Sequence, residues 1–280
     1  VHDIYRDWRR ILDGYPGDRF FVGEIWTSDP ERFALYTRPD ELHTAFSFSF
    51  LQCAWDAKDM RAVIDRTLTG NATWVLSNHD VTRHVTRYGR EDTGYGQRTF
   101  GAPVDLALGT RRARAAALLT MALPGGVYVY QGDELGLPEV EDLPLELRQD
   151  PTLLRSGGTD LGRDGCRVPL PWNGSPTADP WLPQPAEWRD LSVAAEQADE
   201  ESHLRLYQKA LRIRPRLKER PMEWLPAPDG VLAFTRGTGF TCVVNLSREP
   251  VEPPPHKEVL LASGPLTDGL LPPDTAAWLS

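Results

Sequence analysis

Short apolar runs with strand character alternate with segments of helical spacing over the first 130 residues, and this alternation narrows the possible folds more than any other feature. Residues 2–12 place Ile4, Tyr5, Trp8, Ile11 and Leu12 on one helical face, and Gly14 with Pro16-Gly17 stops the helix. Residues 19–25 read as a buried strand, and residues 45–51 as a second strand in which Phe46, Phe48 and Phe50 alternate with small residues. Asp56 can cap a helix over 57–68 with Met60, Val63, Ile64 and Leu68 on one face, closed by Gly70-Asn71 before a third strand at 73–76. A long Ala-rich helix over 105–123 and a fourth strand at 127–130 complete the series. Strands and helices in strict succession predict an α/β architecture with a parallel sheet.

Beyond residue 130 the text changes twice. Residues 131–198 are rich in Pro, Gly and Trp with weak periodicity, too long for an ordinary connection, and are expected to form a functional loop excursion. Residues 202–214 return to helical spacing through Leu204, Leu206, Tyr207, Leu211 and Ile213, and Pro215 closes that helix. After about residue 220 a hairpin is expected from 231–236 and 240–246, joined through Gly237-Thr238-Gly239, with a further strand at 259–261. The expected domains are therefore 1–218, α/β, and 219–280, a small antiparallel, β-sandwich-like unit.

Composition excludes several functions. With 31 Lys+Arg against 40 Asp+Glu the net charge is −9, which disfavours nucleic-acid and anionic-membrane partners. The longest apolar stretch, 113–130, is broken by Arg114, Pro124, Gly125 and Gly126 and makes no clean membrane span. Cys53, Cys166 and Cys242 are too scattered for a disulfide framework or a metal site, so no metal or cofactor is expected and a reducing cytoplasm is the expected compartment. The chain opens on Val1, and four strands cannot close an eight-stranded barrel, so the expectation is that the gene continues upstream. An open half barrel would also expose strand edges and invite self-association. The competing topology is a complete open sheet.

Glu24 and Asp80 each sit where a strand-like run breaks into a loop. In a parallel α/β barrel such strand ends converge on one cavity, so both are candidates for chemistry. Taken alone, either carboxylate could equally be a helix cap or a salt-bridge partner. Arg83, His84, His43 and His203 read as structural or ordinary polar positions, Asp133 and Glu134 as loop residues, and Glu139, Glu141 and Asp142 as a solvated turn. Trp26, Trp55 and Trp172 could stack on a ligand, with packing favoured for Trp55.

Five segments in order resemble the α-amylase family of glycoside hydrolases, family thirteen. Gly23-Glu24-Ile25-Trp26 and Ser77-Asn78-His79-Asp80 resemble its third and fourth signature regions, and Phe46-Ser47-Phe48 lies where that family has its sixth barrel strand. Gln131-Gly132-Asp133-Glu134-Leu135-Gly136 is similar to the segment after its eighth strand. Residues 163–172, Arg163-Asp164-Gly165-Cys166-Arg167-Val168-Pro169-Leu170-Pro171-Trp172, resemble a loop of the α-glucosidase and oligo-1,6-glucosidase branch.

The resemblance implies the second half of a (β/α)8 TIM barrel, strands five to eight, followed by the β domain. It implies Glu24 as general acid/base, Asp80 as transition-state stabiliser, and His79 and Arg167 as substrate-binding residues for a small oligosaccharide or disaccharide. The family's first two signature regions, the second of which carries the nucleophile, would lie before Val1, as would the usual acidic partner of Arg167. The implied activity is a retaining α-glucosidase, with transglucosylase or sugar isomerase as alternatives inside the family and a non-catalytic truncated module as the alternative outside it. The linkage attacked stays open.

Overall fold

The computed structural model describes residues 1–27, 29–68, 72–94, 100–173 and 180–280, without the side chain of Ala72. The first part runs α1 (His2–Asp13), β1 (Val22–Gly23), α2 (Pro30–Tyr36), β2 (Thr44–Phe46), α3 (Phe48–Leu51), α4 (Ala57–Thr67), β3 (Ala72–Val75), α5 (His84–Tyr88), α6 (Leu106–Ala122) and β4 (Gly126–Tyr128). The four strands form one parallel sheet in the order β1-β2-β3-β4, each pairing with the next in sequence. Short helices α7 (Pro151–Arg155) and α8 (Val193–Ala198) punctuate the excursion, and α9 (His203–Ile213) closes it. Strands β5 (Met222–Trp224), β6 (Val231–Arg236), β7 (Thr241–Asn245), β8 (Val259–Ala262) and β9 (Thr275–Leu279) then form an antiparallel sheet ordered β5-β6-β7-β9-β8.

Local chemistry fixes the helix starts. The side chain of Asp56 accepts from the N–H of Asp59, that of Asp105 from Leu108 and that of Ser202 from Arg205. Each satisfies a donor that a helix leaves unpaired in its first turn.

Two strands are shorter than the sequence suggests. Only Val22–Gly23 pairs within 19–25, and Phe20 stands 66% exposed. The run 45–51 is a strand only to Phe46, because the N–H of Ser47 makes a last bond to the carbonyl of Thr73 and the chain then coils into α3. Phe48, Phe50 and Leu51 are all buried, so the alternating phenylalanines reflect a short helix packed on two sides and not a strand period. The expected helix stop at Gly70-Asn71 lies outside the described residues. Strands β5 and β9 were not visible in the sequence, although all five residues of β9 are buried.

The two sheets share a core. One apolar cluster joins Met60 and Ile64 of α4, Leu118 and Leu119 of α6, and Phe234, Val244 and Trp278 of the antiparallel sheet. Full burial of each such side chain contributes roughly 1.5–3 kcal/mol. The indole N–H of Trp278 donates to the carbonyl of Leu118 at 3.1 Å, and Asp274 accepts from Trp55 at 2.6 Å and Arg112 at 2.9 Å. No helix among the described residues is long and apolar enough to cross a membrane.

Candidate active site

In a parallel sheet the carboxyl ends of all strands lie at one edge, so the residues that follow β1, β3 and β4 meet there. Glu24, Ser77, Asn78, His79, Tyr128, Val129 and Tyr130 line a cleft at that edge, floored by Phe46, Phe48 and Val75. It holds about 180 Å³. That is below the ~300–1,000 Å³ of typical ligand pockets.

Glu24 is exposed at the rim. Its Oε1 accepts from the indole N–H of Trp26 at 3.0 Å, and the Trp26 ring lies parallel to Phe48 with centroids 3.9 Å apart.

The loop after β3 is held by its own side chains. Ser77 Oγ accepts the N–H of His84 at 3.1 Å and lies 2.7 Å from His84 Nδ1, while Asn78 Oδ1 accepts the N–H of Asp80 at 2.8 Å. This second bond is a local turn of the kind asparagine makes readily. It aims Asp80 at the excursion. Asp80 Oδ1 accepts from Arg163 Nη1 at 2.7 Å and from Arg167 Nη2 at 3.1 Å, and His79 Nε2 stands 3.5 Å away. Arg167 Nε donates to the carbonyl of His79 at 2.8 Å.

Of the four residues singled out in the sequence, His79, Asp80 and Arg167 therefore form one bonded cluster. Glu24 joins them through the cleft it shares with His79, whereas Asp80 and Arg167 lie outside that cleft's lining. Arg167 was expected to have its acidic partner elsewhere, yet here it pairs with Asp80.

Sequence reasoning gave no role to Arg163 or Asp150. Arg163 bonds Asp150 through Nε at 2.5 Å and Nη2 at 3.2 Å, and the Asp150 side chain is fully buried. The Arg163 guanidinium holds the Asp150 carboxyl well below the usual carboxylate range, and the pairing raises Arg163 in turn. Asp150 also caps α7 at the N–H of Thr152, so Asp150-Pro151 was a cap signal in the sequence.

The expected solvated turn needs correction. The carboxyl of Glu139 is enclosed, accepts the N–H of Arg83 at 2.9 Å and is pushed up to about 7 by burial. Glu141 pairs with Arg90 at 2.6 Å; Asp142 alone is exposed. Chain and sequence agree on the neighbours: Arg83 is buried on the carbonyls of Gln131 and Cys166, His84 is buried, and Trp55 is core. Trp172 is 58% exposed. Among the described residues no group of three or more His, Cys, Asp or Glu is arranged to hold a metal ion.

A parallel sheet that gathers carboxylates, a histidine and arginines at the mouth of an aromatic cleft has the architecture of an α/β protein with a strand-end site. The chain belongs to the α-amylase family, whose catalytic-domain model matches residues 1–220, while a domain of unknown function (DUF3459) matches residues 206–278. It is 32% identical over 268 residues to a probable alpha-glucosidase of Rhizobium meliloti (strain 1021), covering 88% of this chain and 45% of the relative. A glucan 1,6-alpha-glucosidase of Streptococcus dysgalactiae subsp. equisimilis is 25% identical over 296 residues, covering 88% and 52%. The chain thus spans about half the length of the curated relatives it matches. The crystal structure of the alpha-glucosyl transfer enzyme XgtA superposes on all of this chain and 54% of its own, with TM-score 0.79 and 30% identity. The trehalulose synthase MutB, at 23% identity and TM-score 0.78, shares the fold over 99% of this chain and 58% of its own.

Proposed function

We propose that this chain carries the acid/base side of a retaining α-glucosidase acting on short α-glucosides. The reading rests on one observation: Glu24 follows β1 while His79 and Asp80 follow β3, at the same carboxyl edge of one parallel sheet, and Glu24 and His79 line one cleft there. Together with names such as alpha-glucosidase among the relatives, this supports the second half of a (β/α)8 barrel as the architecture. Retaining glycosidases need two carboxyl groups ~5–5.5 Å apart, one attacking the anomeric carbon and one protonating the leaving oxygen. Glu24 serves as the acid, then as the base that activates water. The nucleophile comes from residues outside this sequence. Asp80 and His79 bind hydroxyls of the sugar whose bond is cleaved, and Asp80 favours its distorted, oxocarbenium-like form. Arg167 contributes to the same pocket.

The test is turnover of a chromogenic α-glucoside by the full-length gene product. Glu24→Gln should lower kcat/KM by about 10²–10⁴-fold, and least for substrates whose leaving group needs no proton. Equal losses for good and poor leaving groups would remove Glu24 from the role of acid. The 280-residue chain by itself should show no turnover.

A second reading, glucosyl transfer instead of hydrolysis, is favoured by the similarity to XgtA. Product analysis in the presence of a sugar acceptor separates the two. Free glucose alone would exclude transfer.

Two further expectations belong to the proposal. Ile4, Trp8 and Ile11 of α1 and the adjacent Phe20 are exposed, which favours self-association of the isolated chain; a single monomer at all concentrations in sedimentation would exclude it. Cys53, Cys166 and Cys242 are buried free thiols, which suits a cytoplasmic protein; fractionation of cells would test that.

A further inference from the structure

Arg163 is unusual among the groups around Asp80 because it is itself immobilised. Its guanidinium is a planar fork of donors. Two of them engage the Asp150 carboxylate, Nε to Oδ2 and Nη2 to Oδ1, and the Arg163 backbone N–H also donates to Asp150 Oδ2 at 2.8 Å.

Asp150 in turn is locked. Its side chain is fully buried and accepts the N–H of Thr152 at 3.0 Å. The Asp164 carboxylate receives the N–H groups of both Gln149 and Asp150 at 2.9 Å. Gly162 closes the unit, with φ +73° and no room for a side chain, since a Cβ there would lie 2.7 Å from the Asp150 Cβ. What remains of the Arg163 fork is Nη1, which points at Asp80 Oδ1 at 2.7 Å.

Arg167 reaches the same oxygen, and its Nε donates to the carbonyl of His79, on the same loop as Asp80. Arg163, in contrast, ties Asp80 to the buried carboxylate of Asp150.

We propose that Arg163, held by Asp150, is the positioning residue for Asp80: it fixes the carboxylate's rotamer so that its geometry is set before substrate arrives. The catalytic consequence rests on the glycosidase reading above; the positioning itself does not. Preorganised groups of this kind repay rigidity, because a misplacement of about 1 Å near the reacting atoms can cost ~10²-fold in rate.

Two measurements test this. In the 280-residue chain, three-bond couplings across Cα–Cβ should report a single χ1 rotamer for Asp80, and averaged rotamers in Arg163→Met. Asp150→Asn, which leaves Arg163 in place but weakens its anchor, should give the same averaging and keeps the test intact if Arg163→Met does not fold. An unchanged Asp80 rotamer in both folded variants would overturn the proposal.

In the full-length gene product, Arg163→Met should lower kcat by ~10²-fold, while KM changes by less than about threefold. Arg163→Lys, which keeps the charge but cannot fork between two carboxylates, should rescue little of it. Added to Asp80→Asn, Arg163→Met should cause less than about threefold further loss, because both act through one group. Losses that multiply, or a change confined to KM, would refute the catalytic consequence. If Glu24→Gln and Asp80→Asn retain full turnover, the glycosidase reading fails, while the rotamer measurement still decides whether Arg163 positions Asp80.

Discussion

The indole N–H of Trp26 donates to Oε1 of Glu24 over 3.0 Å while its ring lies flat on Phe48, 3.9 Å between centroids. A side chain exposed at a rim is otherwise free to rotate, so this bond sets where the Glu24 carboxyl points. Trp26→Phe keeps a ring for the stack and deletes the donor. On the glycosidase reading, kcat/KM of the full-length gene product should fall about 3–10-fold, the scale of one ordinary hydrogen bond, with no change in thermal midpoint. Activity equal to wild type would show that Glu24 is oriented by something else.

Glu139 makes stability depend on pH. Burial raises its carboxyl from an ordinary value of 4.5 to about 7; the N–H and charge of Arg83 and the charge of Arg90 oppose the rise, and Glu141 adds to it. The native state therefore holds a proton that the unfolded chain has released. Between about pH 4.5 and 7 the native state binds more protons, so stability falls as pH rises through that window, by an amount on the order of 3 kcal/mol. The contribution is fully present below the window and lost above it. Glu139→Gln should flatten this slope and be more stable than wild type at pH 8. Urea midpoints at pH 5 and pH 8 measure it, and parallel curves for the two proteins would exclude the titration.

Gly109 lets α5 and α6 touch through their backbones. A Cβ at this position would sit 2.1 Å from the carbonyl oxygen of Val85 and about 3 Å from the backbone of Gly89. Alanine would gain up to ~1 kcal/mol of helix propensity and meet an overpacking cost of ~1–3 kcal/mol with backbone on the other side. We expect Gly109→Ala to be destabilised by about 1–2 kcal/mol in chemical denaturation. A variant as stable as wild type would mean that α5 shifts freely.

The legible parts of the chain were those whose cause is local. The cap at Asp56, the apolar stripe of α4 and the hairpin at Gly237-Thr238-Gly239 are read from a few neighbouring residues, and the structure repeats them. Illegible parts depend on distant partners. β9 is an apolar run following Asp274, whose φ of +56° is stabilised by side chains more than 160 residues away, so no window of sequence marks its start. The phenylalanines of α3 imitate a strand because they face two different apolar clusters.

At the site the same division holds. Glu24, His79, Asp80 and Arg167 could be named because short motifs contain them. Arg163 lay inside one of those motifs without a role, since its meaning comes from Asp150, thirteen residues earlier and across a loop. Glu139 looked solvated for a similar reason: what encloses it is the loop after β3, 56 residues upstream in the sequence.

Helix α6 carries a parallel sheet on one side and an antiparallel sheet on the other, with Trp278 and Arg236 both bonded to its backbone carbonyls. For anyone recombining members of this family, the region matched by one model and the region matched by another are not interchangeable modules. A crossover at the overlap, residues 206–220, would join an α6 surface shaped in one lineage to a β6-β7-β9 surface shaped in another. Chimeras cut between residues 106 and 220 should lose stability, because α6 and the sheet it packs on then come from different parents.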